Sequence, residues 1–240
     1  MTTIGVDVSR AQSPARCDWG RAYADGVRFA WVKGSEGAGG PGAYVDPSAA
    51  EHLERIRRTR ILSGVYHFAR PDNRFAASPN GYANGVLEGE HAATTAVMLG
   101  AAWAGSLPVA LDLEKYTPRE LGVTDEQRGA FVLGMVNTVE QRLGRLPVIY
   151  TGANYWGYQM PASLAGELHE RGVPLWLVNY EKASQPSASI PDWPWSVWQR
   201  SGGGDFVTRP PIDGLPHPID QNSYRGTMVE LRGLAGCCGA

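Results

Sequence analysis

The sequence predicts a single α/β domain folded as a TIM-like β/α barrel of eight strands, with helices missing after the last strands. Short β-rich segments alternate with longer helical segments, which indicates a mostly parallel sheet with crossover helices. The first six strand segments are apolar nearly throughout, as expected of strands that are covered on both faces. The chain has 240 residues, 43% of them hydrophobic, which is enough for one large core. An open α/β sheet is the alternative that this pattern also allows.

The strand segments recur along the whole chain. They cover residues 3–8, 28–33, 61–67, 107–111, 147–151, 174–178, 195–199 and 218–220. Helices are predicted over 82–99, 124–144 and 162–171, and an earlier one from Asp46, as its N-cap, to about Arg60. Thr124 and Gln127 indicate a capping box at the start of the third helix in chain order, and Gly144 indicates its end.

The segment after Tyr180 differs from the rest because it is rich in proline. Prolines occupy positions 186, 191, 194, 210, 211, 216 and 218, so that no long helix fits between the last strands. Loops are therefore expected there. We expect a catalytic barrel domain over residues 1–225 and a short C-terminal tail over 226–240, in which Cys237 and Cys238 lie.

Composition excludes several classes of function. The formal net charge is −2, so the chain has no overall positive field for a nucleic acid. No apolar run is long enough to cross a membrane, and the first residues lack the pattern of an export signal. The 3 cysteines and 5 histidines show no metal-ligand spacing, so we expect neither a metal nor a cofactor. We expect a monomer.

Polar and aromatic side chains occur where the predicted strands end. In a β/α barrel these ends form the catalytic face, so the side chains should meet at one rim. Five of them are acidic: Asp7, Glu36, Asp112, Glu114 and Asp220. Tyr150, Gln199 and Asn222 also lie at or just after predicted strand ends.

Asp112 and Glu114 follow an apolar strand and are separated by one residue. Side chains two apart on a strand point to the same face, and crowding of like charges raises the pKa of one of them. One protonated and one ionised carboxyl is the pair that cleavage of a glycosidic bond uses. The spacing alone is also common in solvated loops.

Eight short blocks of sequence together resemble one family, the family 25 glycoside hydrolases or Chalaropsis-type lysozymes. The resemblance runs from Gly5 to about Tyr224. The blocks are Asp7-Val8-Ser9-Arg10-Ala11-Gln12, Lys33-Gly34-Ser35-Glu36-Gly37, Tyr66-His67-Phe68-Ala69-Arg70-Pro71, Asp112-Leu113-Glu114, Tyr150-Thr151-Gly152, Leu175-Trp176, Trp198-Gln199 and Asp220-Gln221-Asn222-Ser223-Tyr224.

The resemblance implies an N-acetylmuramidase that hydrolyses the β-1,4 bond between N-acetylmuramic acid and N-acetylglucosamine in peptidoglycan. It implies that Glu114 is the general acid, and that Asp112 stabilises the developing positive charge or orients the 2-acetamido group of the sugar. Asp7 and Asp220 match two further rim carboxylates that bind substrate and tune the pair. Tyr66, Tyr150 and Gln199 look like walls or hydrogen-bond partners of the sugar subsites. The same blocks contribute further candidates for substrate binding, which are Glu36, Trp198 and Asn222. We expect Glu114 to hold the proton and the other three carboxyls to hold charge.

The sequence departs from the family pattern at two places. Ser13 follows Gln12 where the family usually has proline, glycine or glutamate, and residues 38–43 insert glycine-rich sequence on the rim. These departures bear on substrate preference more than on the reaction.

The alternatives are a chitinase-like N-acetylglucosaminidase and a catalytically inactive wall-binding or virion module. We expect action at the bacterial cell wall, reached as a phage lysin (endolysin) or by another export route.

Overall fold

The structure is a computed structural model that describes residues 3–38, 43–71, 81–114, 123–181, 184–202 and 210–237. Within these residues, nine strands form one sheet, and eight of them close into a barrel because β1 pairs with β2 as well as with β9. The strands are β1 (Thr3–Val8), β2 (Val27–Glu36), β3 (Tyr44–Val45), β4 (Leu62–Phe68), β5 (Ala110–Leu113), β6 (Val148–Gly152), β7 (Leu175–Val178), β8 (Trp195–Ser201) and β9 (Asp220–Tyr224). The prediction of a β/α barrel is confirmed.

Seven α-helices accompany the strands in the described part of the chain. They are α1 (Trp19–Ala24), α2 (Ala49–Arg57), α3 (Gly81–Met98), α4 (Asp125–Leu143), α5 (Ala153–Gln159), α6 (Leu164–Glu170) and α7 (Met228–Leu234). Between β7 and β8 the described residues contain no helix, as the prolines predicted. The sequence did not predict α1, α5, α7 or the two-residue strand β3, all of which are seven residues long or shorter.

Three of the predicted helix ends can be compared directly with the structure. The capping box of Thr124 and Gln127 is present, and Gly144 ends α4 in the left-handed conformation with φ 67°. The predicted start at Asp46 is wrong, because Ser48 takes the N-cap position of α2. The carboxylate of Asp46 instead accepts hydrogen bonds from the backbone N–H groups of Arg10 (3.0 Å) and Ser48 (2.9 Å). It thereby ties the loop after β1 to the start of α2.

Strand alternation divides the core into two layers. One apolar cluster fills the barrel and includes Phe29, Trp31, Val148 and Trp176. A larger cluster lies between the strands and the outer helices. The indole rings of Trp31 and Trp176 stack with centroids 4.7 Å apart, so the centre of the barrel is packed with aromatic rings.

The last strand corrects one detail of the sequence prediction. The segment 218–220 was expected to end a parallel strand at Asp220, but β9 begins at Asp220 and runs antiparallel to β1 and β8. Asp220 pairs in register with Asp7, so it still reaches the catalytic face, as the first residue of its strand. Tyr224 pairs with Thr3 and lies at the opposite end of the barrel, away from the expected rim.

Helix α7 lies within the segment 226–240 that the sequence set apart as a tail. Leu231 and Ala235 are fully buried and belong to the cluster inside the barrel. The backbone N–H of Gly105 donates to the carbonyl of Ala235 at 2.8 Å, which joins the end of α7 to the loop before β5. No helix in the described residues is long and apolar enough to cross a membrane.

Candidate active site

A cavity of about 210 Å³ opens at the carboxyl ends of the parallel strands. It contains the four carboxyls that the sequence placed at one rim, together with aromatic, amide and cationic side chains. Its lining is Asp7, Lys33, Tyr66, Phe68, Asp112, Glu114, Tyr150, Trp176, Tyr180, Gln199 and Asp220. The lining comes from β1, β2, β4, β5, β6, β7, β8 and β9 and from the segments that follow β5 and β7, so the whole barrel positions this site.

Asp7 is held at the base of the cavity by two amides. Gln199 Nε2 donates to Asp7 Oδ2 at 2.9 Å, and Asn222 Nδ2 donates to the same oxygen at 2.7 Å. Burial raises the pKa of Asp7 well above its ordinary value, and the charge of Asp220 raises it further, while the two amide hydrogen bonds oppose this. Asp7 and Asp220 therefore disfavour the state in which both are ionised.

Asp112 lies in β5 and Glu114 is the first residue after it, and both side chains line the same cavity, as their spacing predicted. Asp112 is 6% exposed, and burial followed by the charge of Glu114 raises its pKa well above the ordinary value. Glu114 is partly exposed, and burial followed by the charge of Asp220 raises its pKa. The expectation that only Glu114 holds a proton overlooked burial, which favours the neutral form of Asp7 and Asp112 too.

Lys33 is the cation of the described cavity lining. Its ammonium donates to Glu36 Oε2 at 2.6 Å and lies 4.8 Å from the centroid of the Phe68 ring. Arg70 Nε donates to the other oxygen of Glu36 at 2.9 Å. Glu36 thus fixes the ammonium beside the acids, where its charge lowers the pKa values of Asp112 and Glu114.

One amide connects three sides of the cavity. Gln199 Oε1 accepts from the hydroxyl groups of Tyr150 (2.8 Å) and Tyr180 (3.1 Å), while its Nε2 donates to Asp7. Burial, the largest cause, raises the pKa of Tyr150, so this hydroxyl is a donor at neutral pH. Tyr66, another wall, also has a pKa raised well above its ordinary value by burial and then by Asp7.

The structure brings most of the sequence-predicted site residues together. Asp7, Asp112, Glu114 and Asp220 line the cavity, and so do Tyr66, Tyr150 and Gln199. The remaining three do not line it. Glu36 contacts it through Lys33, Asn222 lies beneath Asp7 and accepts from Trp176 Nε1 at 2.9 Å, and Trp198 donates its Nε1 to the carbonyl of Asn179 at 2.8 Å.

Four lining residues were not among the sequence candidates: Lys33, Phe68, Trp176 and Tyr180. All four lie within or beside blocks that carried the family resemblance or at strand ends, which was the signal that could have selected them. The described residues contain no cluster of three or more histidine, cysteine, aspartate or glutamate side chains able to hold a metal ion. Residues 39–42 of the glycine-rich insertion, and Cys238, lie outside the described residues.

Known proteins resemble this chain over nearly its whole length. The uncharacterized protein YegX of Escherichia coli O6:H1 is 28% identical over 97% of this chain and 73% of its own. Lysozyme M1 of Streptomyces globisporus is 25% identical over 96% of this chain and 70% of its own. The structure of a muramidase from Acremonium alcalophilum superposes with a TM-score of 0.74 at 28% identity, covering 97% of this chain and 98% of that one.

The sequence profile described as glycosyl hydrolases family 25 matches residues 6–207. This match includes Asp7 and the Asp112–Glu114 pair, although it ends before Asp220. Since it covers well over half of the chain, the chain belongs to glycosyl hydrolases family 25.

Proposed function

We propose that this chain is a lysozyme-type N-acetylmuramidase, which hydrolyses the β-1,4 bond between N-acetylmuramic acid and N-acetylglucosamine in peptidoglycan. The observation that carries the proposal is the placement of Glu114 and Asp112 side by side in a cavity walled by aromatic rings. Relatives named lysozyme and muramidase, and membership of family 25, support it.

Glu114 is the proposed general acid. It is the partly exposed member of the pair, so it can reach a glycosidic oxygen that enters from solvent. Burial and the charge of Asp220 raise its pKa, which keeps a proton on the carboxyl toward neutral pH. A general acid works best when its pKa lies near the working pH, because it is then protonated and still gives up its proton readily.

Asp112 is the proposed partner that stabilises positive charge or orients the 2-acetamido group. Its Oδ1 is buried and has no hydrogen-bond partner among the described residues. An unpaired buried carboxyl oxygen is costly, and the N–H of an acetamido group would satisfy it. Ionisation of Asp112 becomes easier once Glu114 is neutral, because the charge of Glu114 is the second cause of the raised pKa.

Asp7, Asp220 and the aromatic walls are the proposed substrate-binding groups. Asp7 and Asp220 face each other across paired strands and can accept from sugar hydroxyls. Tyr66 and Tyr150 offer flat apolar faces with polar hydroxyls, which suit sugar rings. Glu36 acts indirectly by binding Lys33, and Asn222 acts indirectly by binding Asp7. We propose no direct contact between Trp198 and the substrate.

We also propose that a monomer acts at the bacterial cell wall, with the barrel of residues 1–225 as the catalytic unit. The route to the wall that we propose is release from a host cell as a phage lysin. The small negative net charge of −2 supports a glycan substrate over nucleic acid or an anionic membrane surface. Light scattering of the purified chain tests the monomer, and lysis of cells that express it with and without a membrane pore tests the route.

The decisive experiment compares Glu114→Gln with the wild-type chain on purified peptidoglycan. We expect release of reducing ends to fall by about 10²–10⁴-fold, since this is what a general acid contributes. Thermal stability should be unchanged or higher, because the amide replaces a carboxyl whose ionisation is opposed by partial burial and by the charge of Asp220. Glu167→Gln, on the exposed side of α6, is the matched control and should keep full activity.

Mass spectrometry of the wild-type digest identifies the bond. Fragments with N-acetylmuramic acid at the reducing end support the proposal, whereas N-acetylglucosamine ends, or faster digestion of chitin than of cell walls, would show an N-acetylglucosaminidase. Strong pelleting with walls and no cleavage at any pH would show an inactive binding module. Full activity in Glu114→Gln would remove this residue from the role of general acid.

A further inference from the structure

Behind the cavity wall lies a buried polar cluster that the proposed reaction does not use. It consists of Ser35 on β2, His67 on β4 and Glu88 on α3, which are 1%, 1% and 4% exposed. His67 Nδ1 lies 2.8 Å from Ser35 Oγ, and His67 Nε2 lies 2.6 Å from Glu88 Oε2. Among the described residues that line the cavity, none belongs to this cluster.

The hydrogen bonds of this cluster are directional. A carboxylate can only accept, so Nε2 of a neutral His67 carries the proton that is donated to Glu88. Nδ1 is then an acceptor and receives the hydroxyl hydrogen of Ser35. The imidazole therefore connects an outer helix to the carboxyl ends of two neighbouring strands, and both of its nitrogens are used.

The pairing of β2 with β4 is irregular next to the position where Ser35 meets His67. β2 and β4 are parallel, and their register shifts between Lys33 and Ser35. Residues two apart on a regular strand share a face, but Lys33 lines the cavity while Ser35 turns away to His67. Such a bulge redirects side chains, so the bond to His67 fixes the direction of Lys33 as well.

The same helix supports the rim at further points. Glu88 Oε2 also accepts from the backbone N–H of Arg70 at 3.4 Å, and Arg70 binds Glu36, which in turn binds Lys33. His91, one turn after Glu88, contacts the carbonyl of Gly37 through Nδ1 at 2.5 Å. These contacts hold the loops after β2 and β4 against α3.

We propose that His67 is a positioning residue for the glycosidase reaction. Its imidazole, held between Glu88 and Ser35, fixes the ends of β2 and β4 and thereby sets Lys33, Tyr66 and Phe68 against the Asp112–Glu114 pair. Tyr66 and Phe68 flank His67 on β4 and point to the cavity, so rotation or shift of this strand end moves two walls at once. The proposal rests on the muramidase function proposed above.

The test measures kcat, KM and the pH profile of the full chain on purified peptidoglycan for three substitutions. His67→Leu removes both hydrogen bonds, and Ser35→Ala removes only one, which guards against misfolding of the first variant. We expect kcat to fall about 10- to 100-fold in His67→Leu, since small misplacements of catalytic groups have effects of this size. His67→Gln, whose amide can donate to Glu88 and accept from Ser35, should recover most of the loss.

The pH profile separates positioning from stability alone. If the ammonium of Lys33 is displaced, the alkaline limb moves to higher pH, because the charge of Lys33 lowers the pKa of Glu114. His52→Leu is the matched control, since His52 is a fully buried imidazole that contacts Trp19 and the Gln12 carbonyl away from the cavity. It should lower the melting temperature without moving that limb.

The outcomes distinguish this proposal from the muramidase proposal itself. A wild-type chain that does not cleave peptidoglycan contradicts the proposed function. Cleavage by the wild type, together with normal kcat and an unmoved pH profile in folded His67→Leu or Ser35→Ala, would overturn the positioning role alone. Equal kcat values for His67→Gln and His67→Leu would also overturn it.

Discussion

Substitution of Gln199 by methionine is the sharpest perturbation of the cavity that the structure offers. Methionine has nearly the same length and volume, so it removes hydrogen bonds without leaving a void. Gln199 makes three of them, to the hydroxyls of Tyr150 (2.8 Å) and Tyr180 (3.1 Å) and to Asp7 Oδ2 (2.9 Å). The side chain is 3% exposed, so water does not replace these partners freely.

The cost follows from the three bonds. Each hydroxyl bond contributes about 1 kcal/mol, and the bond to the carboxyl of Asp7 contributes about 1.5–3 kcal/mol. We therefore expect Gln199→Met to lower the free energy of unfolding by about 3.5–5 kcal/mol. In a chain of this size each kcal/mol lowers the melting temperature by about 2–4 °C, so the expected decrease is roughly 7–20 °C.

Thermal unfolding followed by circular dichroism measures this decrease, and a double-mutant cycle with Tyr150→Phe tests its origin. Tyr150→Phe removes one of the same bonds, so the double variant should be about 1 kcal/mol more stable than the sum of the single effects predicts. A decrease below about 3 °C in Gln199→Met, or strict additivity in the cycle, would refute the network as described.

Three further predictions follow from the site and the helix packing. Burial raises the pKa of Asp7, so the folded state binds its proton more tightly than the unfolded state and loses stability as pH rises above the ordinary value of 3.8. Asp7→Asn should therefore raise the melting temperature by an amount that grows with pH, and an equal gain at acid and neutral pH would contradict this. Lys33→Met should shift the alkaline limb of the kcat profile to higher pH by raising the pKa of Glu114, which pH-dependent kinetics would detect. Gly85→Ala should lower the melting temperature by at least about 3 °C, because the new Cβ would lie 2.0 Å from a backbone oxygen of α4, whereas Gly157→Ala meets nothing within 4 Å and should be tolerated.

The parallel part of the barrel could be predicted from sequence because its strands are apolar on both faces. The strands around Val148 and Leu175 show this plainly, since one face packs inside the barrel and the other against the helices. The direction of β9 could not be predicted. Its residues from Asp220 to Tyr224 are polar, and only pairing with β1 and β8 shows that the strand runs antiparallel.

The acids of the site were predictable and the support around them was less so. Asp7, Asp112 and Glu114 stand at strand ends, where a barrel assembles its site whatever the helices do. The two tryptophans show the limit of this reasoning. Trp176 faces the interior and Trp198 does not. Hydropathy could not decide between them, because both lie on strands covered on both faces. Alternation could have excluded Trp198, because it is adjacent to Gln199 and neighbouring strand residues point to opposite faces.

Ionisation was also beyond the sequence. Like charges two residues apart indicated one raised pKa, but the desolvation that raises the pKa of Asp112 and of Asp7 depends on the depth of the cavity. The ion pair between Glu36 and Lys33 could not be predicted from the sequence either, because it needs the register shift in β2 to bring the two side chains together. Local sequence patterns therefore identified the acidic side chains of this site, whereas the packing around them determines which of them are ionised.

The antiparallel course of β9 has a practical consequence for anyone who extends this protein. Because β9 begins at the substrate entrance and runs away from it, Tyr224 lies at the opposite end of the barrel. Helix α7 follows at that end, and its Leu231 is buried in the cluster inside the barrel. A fluorescent label, an affinity tag or a wall-targeting module fused after Cys237 would therefore project away from the glycan, leaving the mouth open to long polymeric strands. Removing α7 to shorten such a fusion would uncover the aromatic centre of the barrel to water.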